Sequence, residues 1–441
     1  MPIYTRERKS LLSSQARIQA PWVKVTIGDF TFGVFDRQTK NKTTEGDFYT
    51  AYEIQYPNYI QSLNITKING QVNQYTLNIK YPIRPQDDPN FFEKVFSSVS
   101  NTRKIVFSYG DSLQPAYCYK NEEALITKVS QQFDLANCAI TYVVNAVSTA
   151  IKGRVGNFTF VNSEKKTPSE EIKKVFRNPL YGLQSIFTGM NDSNIDSLIE
   201  GGDKEVMLYT KTNISPIDYI AYLVSCMIPD GATTNNISRD IYILTMHDDT
   251  IYDGKVENNI DINGPYFKVS KTSYAMEQTD AYEVDIGYNT STIVTNFSVN
   301  KDENYSIYYN YSEDLYPEKY TRRLDDKGQW EDVFAPTFTS GNSTFQTNAA
   351  DVTWYTKLTK YPISAQLTIQ GLLRPATLMQ YLRLNVIFPG GHKHIASGLY
   401  IVTKQVDSIS IDGGYKTTLS LTKISGDATL QNSTAFDPDK K

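Results

Sequence analysis

The sequence predicts a mainly β protein with a mixed α/β middle part, an α+β chain. Three observations predict it. Polar and apolar residues alternate in many short segments toward both ends of the 441-residue chain, which puts one row of side chains on a core and the other in water, as a half-buried strand requires. Helical spacing is confined to one segment near residue 90 and to a few stretches between residues 168 and 229. The composition is skewed toward a strand-forming aromatic, with 32 Tyr against 3 His and 3 Trp.

Residues 1–21 are polar and basic and read as an arm. Residues 22–27 (WVKVTI) alternate, Gly28-Asp29 turns, and Phe30-Thr31-Phe32 continues, which predicts a hairpin. Residues 62–65 and 75–81 form a second strand pair, with Asn69-Gly70 in the connection. Pro82 and Pro85 end that strand, and Asp88-Pro89 predicts a helix start with Asp88 as N-cap and Pro89 at the first helical position. Phe91, Phe92, Val95, Phe96 and Val99 share one helical face that belongs on the core. Residues 105–107, 124–129 and 140–147 supply further strands, so 22–160 reads as one β domain with a helix laid on its sheet.

Residues 161–260 differ in character. Pro168-Ser169-Glu170-Glu171 is a helix start with carboxylates in the first turn, followed by Ile172, Val175 and Phe176 at helical spacing. Leu180, Leu183, Ile186 and Phe187 predict a second turn-and-helix. Ser215-Pro216 opens a third, through Ile217, Ile220, Leu223, Val224 and Met227. A strand follows at 239–246. From 261 to 426 the β pattern resumes, with strands at 266–269, 281–286, 291–299 and 305–311, and a polar loop at 337–350. The densest block is 361–424, where residues 366–370 and 381–388 alternate and residues 408–424 make a hairpin about Asp412-Gly413-Gly414. Residues 427–441 lack periodicity and read as a disordered tail. The hairpin at 63–81 echoes the one at 409–421, which two copies of one β fold would explain, chance likeness between hairpins being the other reading.

The chemistry expected of an enzyme is missing from the pattern. There is no GxxxxGK[ST], no GxGxxG after a strand, no HExxH and no GxSxG. His392-Lys393-His394 beside Gly390-Gly391 reads as a polar turn before it reads as a metal site. If Asp249 opened a calcium loop, the ligand positions would fall on Ile251 and Ile260, which offer no side-chain oxygen. No spacing singles out a carboxylate pair among the 48 acidic residues. Cys118, Cys138 and Cys226 are odd in number and widely spaced, and are expected to be reduced core thiols. The small basic clusters, residues 6–9, Lys165-Lys166 and Arg322-Arg323, read as solvated surface, the last with local partners around a turn at 325–328. The expectation is no catalytic, cofactor-binding or metal residues, no cofactor, and no membrane insertion. No signal peptide is read at the start, so the sequons, such as Asn64-Ile65-Thr66, are taken as a by-product of an Asn- and Thr-rich surface. A net charge of −4 weighs against a broad nucleic-acid footprint.

The final block carries a resemblance. LTIQGLL (367–373), LRLNVIFPGG (382–391) and SGLYIVTKQVDSISIDGGYKTTLSLTKI (397–424) stand in an order that resembles the C-terminal region of phage baseplate hub proteins of the T-even type and their relatives in phage-like injection systems. DIGYNTSTIVTNFSVN (285–300) looks like the strands preceding that region. The resemblance implies two tail-tube-like β-barrel or sandwich domains, 22–160 and 261–426, each with a helix, joined by the mixed domain. It implies three chains closing a ring that adapts the sixfold tail tube to a threefold central spike, with DNA passing transiently through the lumen. Implied partners are the chain itself, the tail tube protein, the central spike protein and other baseplate proteins. The implied place is the virion tail, the chain being made in the host cytoplasm. A β-rich tail-tip or receptor-binding module is the alternative, and a cell-wall hydrolase a third.

Overall fold

The computed structural model describes residues 21–34, 56–57, 59–68, 71–98, 103–111, 119–227, 240–247, 264–273, 282–287, 294–301, 321–324, 330–333, 363–371, 378, 381–389, 391–394 and 396–426. The first β unit comprises β1 (Pro21–Ile27), β2 (Phe30–Val34), β3 (Tyr56–Pro57), β4 (Ile60–Ile68), β5 (Gln74–Pro82), β6 (Lys104–Asp111), β7 (Tyr119–Asp134) and β8 (Ala139–Ser148), with α1 (Phe91–Ser98) between β5 and β6. Alternation sets the faces. In β4, Leu63 and Ile65 are buried while Ser62, Asn64 and Thr66 are partly exposed, and β5 and β8 repeat the pattern. Gly28 supplies a φ of 57° in the two-residue turn that joins β1 to β2.

Helix α1 lays Phe92 and Val95 on the core, and Phe92 sits among Phe32, Tyr59, Tyr81 and Tyr142 with ring centroids 5.0–6.1 Å away. It begins at Phe91, later than the sequence pattern implied. The Asp88 carboxylate accepts the Asn90 N–H at 2.9 Å and binds the Lys94 ammonium, so Pro89 and Asn90 form a turn ahead of the helix. Cys138 departs from expectation too. It is exposed in the turn between β7 and β8 at a φ of 48°, whereas Cys226 is buried, and Cys118 lies outside the described residues.

The middle part contains β9 (Phe158–Phe160), β10 (Lys165–Lys166), α2 (Pro168–Arg177), α3 (Leu183–Ile186), α4 (Ile195–Leu198), β11 (Val206–Met207), β12 (Lys211–Ile214), α5 (Pro216–Ser225), β13 (Asp240–His247) and β14 (Tyr266–Ser273). Helix α2 places Glu170 and Glu171 in its first turn and Lys174 and Arg177 in its last, which suits the helix dipole at both ends. Helix α5 is capped by the Ser215 hydroxyl, which accepts the Asp218 N–H at 3.2 Å. Their apolar faces meet β14 in one core that includes Phe176, Phe187, Leu223 and Phe267. Strand β14, expected to open the second β domain, pairs with β13 and contributes Tyr266, Phe267 and Val269 to this middle core. The expected turn-and-helix is present, with Leu180 68% exposed on a 3-10 turn ahead of α3 and Leu183 and Phe187 buried.

The second β unit holds β15 (Tyr282–Gly287), β16 (Val294–Lys301), β19 (Ile363–Gln370), β20 (Tyr381–Ile387), β21 (Gly398–Ser410) and β22 (Gly414–Gly426) around Val284, Leu367, Leu384, Tyr400 and Leu419. A separate hairpin, β17 (Thr321–Leu324) with β18 (Trp330–Val333), pairs Leu324 with Trp330 around the predicted turn at 325–328, which lies outside the described residues. So do the expected strand at 305–311, the loop at 337–350, the calcium-like segment at 248–254, the arm at 1–20 and the tail at 427–441. No helix is found among the described residues of the second unit.

Both units belong to one sheet, running β16-β19-β22-β21-β4-β5-β8-β7-β6-β1-β2-β3. The order β16-β19-β22-β21 repeats the order β4-β5-β8-β7, in the same chain sequence, and β20 lies against β21 as β6 lies against β7. Irregularities repeat with it. The ladder of β4 with β5 is bulged between Ile60 and Ser62, and that of β16 with β19 between Val294 and Asn296. The long hairpin of β7 and β8 is bulged at Thr127, and that of β21 and β22 at Thr403. Each bulged threonine donates its hydroxyl to a carbonyl on the facing strand, Thr127 to Asn145 at 3.1 Å and Thr403 to Ser420 at 3.2 Å. The chain therefore contains one β arrangement twice. The hairpin echo in the sequence paired the wrong members, because the counterpart of β21 and β22 is β7 and β8, and that of β4 and β5 is β16 and β19.

Candidate functional site at the junction of the two β units

Strand β21 changes partner along its length. Its first residues pair with β20, and from Lys404 to Ser410 it pairs with β4, matching Ile409 to Leu63, Asp407 to Ile65 and Gln405 to Lys67. The bulge at Thr403 marks the change, since an extra residue bends a strand and increases its twist. Ile409 and Tyr415 of the second unit join the core of the first, so apolar packing crosses the join as well as hydrogen bonds.

A polar cluster is buried at this join. Glu122 of β7 is 0% exposed and accepts from the Lys67 ammonium at 3.1 Å, the Tyr75 hydroxyl at 2.7 Å and the Tyr109 hydroxyl at 3.2 Å. Asp407, also 0% exposed, accepts from the Thr417 hydroxyl and the Gln405 side-chain amide, both at 2.6 Å. Burial pushes the Asp407 carboxyl above the usual carboxylate range, against the opposing pull of Thr417 and of the Lys67 charge. Gly398 stands where the second unit would place a counterpart of Glu122, so the cluster belongs to the join and not to the repeated fold. Solvent reaches neither carboxylate, and both are occupied by donors, an arrangement suited to fixing strand register and not to attacking a substrate.

The opposite face of the sheet is lined with small neutral polar groups in rows that cross the join. Asn64 lies between Ser408 and Thr76, with the Ser408 hydroxyl 2.5 Å from the Asn64 amide oxygen. Thr76 and Asn145 meet at 3.2 Å, Asn78 donates to Ser62 at 2.8 Å, and Thr368 meets Thr418 at 3.0 Å. Across β4, β5, β8, β19, β21 and β22 this face carries Lys80, Lys404 and Lys416 and no carboxylate. The net charge of −4 thus misdescribes the face locally.

The remaining candidates fall elsewhere. His392, Lys393 and His394 form the polar turn after β20, where His394 Nδ1 accepts the Ala396 N–H at 3.1 Å and Lys393 binds the Asn385 side chain. No group of His, Cys, Asp or Glu able to hold a metal ion occurs among the described residues, and no helix there is long and apolar enough to cross a membrane. Sequence reasoning passed over Lys67, Glu122 and Asp407. The available signal was a charged residue on the apolar row of an alternating strand, at Lys67 in β4 and Asp407 in β21.

No protein-family model and no curated protein sequence matches the chain. Among solved structures it is similar to the 43 kDa tail protein of prophage MuSo2 from Shewanella oneidensis, at 8% identity and a TM-score of 0.48, covering 92% of this chain and 99% of that one. It is also similar to a tail protein from Neisseria meningitidis MC58, at 10% identity and a TM-score of 0.46, covering 92% and 97%. A third is the E. coli c3393 protein, described as a component of the type VI secretion system, at 10% identity and a TM-score of 0.44, covering 84% and 75%.

Proposed function

We propose that this chain is a structural hub of a phage or phage-like tail, three copies of which form a ring joining the tail tube to the central spike. The observation that carries this reading is the repeated β arrangement joined edge to edge in one sheet. A chain with two equivalent units offers a sixfold partner six similar surfaces when three copies close, and keeps threefold symmetry for a spike. The resemblance of residues 367–424 to baseplate hub proteins agrees with it.

In this reading the neutral polar face lines the pore. Hydroxyls and amides exchange hydrogen bonds with water readily, and a few lysines give phosphates only weak, salt-dependent contact, which lets DNA pass without being held. The protein's place is the virion tail, its partners are its own copies, the tube and spike proteins and other baseplate proteins, and it acts without a cofactor or catalytic step. The test is the mass of the purified protein, alone and mixed with the tube and spike proteins, combined with particle images. A threefold ring with a central pore is expected. A strictly monomeric protein at high concentration in both settings would overturn the proposal.

A further inference from the structure

The repeat leaves two sheet edges whose counterparts are already paired within the chain. By the matching ladders, residues 128–134 of β7 correspond to residues 404–410 of β21, and residues 294–301 of β16 correspond to residues 60–67 of β4. In the chain, the later part of β21 is covered by β4. Among the described residues, the later part of β7 has no strand on its outer side, since its ladder with β6 reaches only to Leu125, and β16 ends the sheet.

Burial differs between the two settings as an absent neighbour requires. Ile409 is 0% exposed, but its counterpart Phe133 is 63% exposed. Gln405 and Asp407 are buried, whereas their counterparts Val129 and Gln131 are half-buried and exposed. Leu63 and Ile65 are buried, and their counterparts Phe297 and Val299 are only half-buried. Long unpaired edges are templates for another strand. The internal join shows the strand and the register that the counterpart edge on β21 takes.

We propose that β16 of a second copy of this chain docks antiparallel on residues 129–134 of β7, in the register of the internal join, so that Phe133 faces Phe297, Gln131 faces Val299 and Val129 faces Lys301. This rests on the hub reading for the number of copies, but the edges and the register come from the internal join alone. The two edges are different surfaces, so the contact is head-to-tail and repeats around a ring. Phe133 and Phe297 form an aromatic cross-strand pair within it, a kind of pair that stabilises facing strands. A slip of one residue would turn both rings to opposite faces.

The test is oxidative cross-linking of the full chain carrying Phe133→Cys and Phe297→Cys, with Cys118→Ser and Cys138→Ser so that the buried Cys226 is the one native thiol left. The comparison variant is Phe133→Cys with Ser298→Cys, a one-residue slip, and circular dichroism confirms that each variant is folded. Expected is covalent linkage of most of the protein into trimers by the matched pair, and at least tenfold less linkage by the slipped pair. Trimers by mass with no preference for the matched pair would overturn this register while leaving the hub reading standing. Matched cross-links running into open ladders longer than three copies would support the edge pairing and overturn the ring of three. A folded monomer that never cross-links would overturn both.

Discussion

Glu122 shows how one side chain can tie together the strands of the first unit beside the join. It stands on the core side of β7, fully buried, and its oxygens collect one ammonium and two phenols drawn from β4, β5 and β6. Removing it leaves the Lys67 charge buried without its carboxylate, and such a loss costs about 3–5 kcal/mol. Glu122→Ala should therefore lower the denaturant midpoint sharply, whereas Glu122→Ala combined with Lys67→Met should recover much of the loss. Equal destabilisation by the single and the double variant would show that the pair is not coupled. Asp407 gives a pH signature of defined sign. Burial raises its pKa in the folded state above the unfolded value of about 4. The folded protein then holds a proton that the unfolded chain has released, so this contribution is complete below about pH 4 and is lost as pH rises toward and through the raised value. Asp407→Asn stays neutral throughout. Its melting temperature relative to the parent should rise between pH 4 and pH 7, and a difference independent of pH would refute the assignment.

The bulges are the elements on which the repeat turns. Thr403 is an extra residue in β21, placed where the strand leaves β20 and meets β4. Replacing it by Val keeps the backbone and removes one hydrogen bond, at a cost of about 0.5–1.5 kcal/mol. Deleting it lets the pairs of Val402 with Leu421 and Lys404 with Ser420 follow one another in a regular ladder, so residues 404–410 keep their faces and the strand loses the bend that carries it from β20 to β4. The deletion should lower the denaturant midpoint by more than Thr403→Val does, because the straightened strand meets β4 less well, and a deletion no more harmful than Thr403→Val would show that the bend is dispensable. Strands were legible in the sequence because alternation over residues such as Leu63, Ile65, Leu419 and Leu421 is a local property. The repeat was not. Its copies agree in register and bulge position, and at the side-chain level only in scattered pairs such as Thr127 with Thr403 and Lys128 with Lys404. Hairpin likeness therefore matched the wrong members. The capping contact at Asp88 was legible, its carboxylate accepting the Asn90 N–H, but the helix is regular only from Phe91 because Pro89 and Asn90 form a turn first.

At the scale of the whole molecule, the fold class could be read from where alternation and helical spacing occur, but the join could not. It pairs Asn64 with Ser408, residues 344 apart in the chain, and no local pattern reports a contact at that separation. The polar cluster was hidden for the same reason, since Lys67 and Asp407 look like isolated charges until β4 and β21 are side by side. That separation also makes the join testable. Asn64 and Ser408 face each other on the polar side of neighbouring strands, where cysteines can replace them without entering the core. A disulfide there closes a very long loop, and in the chain-entropy account it stabilises the fold by up to about 5 kcal/mol. Asn64→Cys with Ser408→Cys should form the bond within one chain and raise the melting temperature of the oxidised protein over the reduced one. The same bond should merge the unfolding of the two units, because neither can leave the shared sheet while the strands are tied. If the pair forms only between chains, or does not form in the folded protein, then the two units are not joined through β4 and β21, and the ring built by repeating that join loses its template.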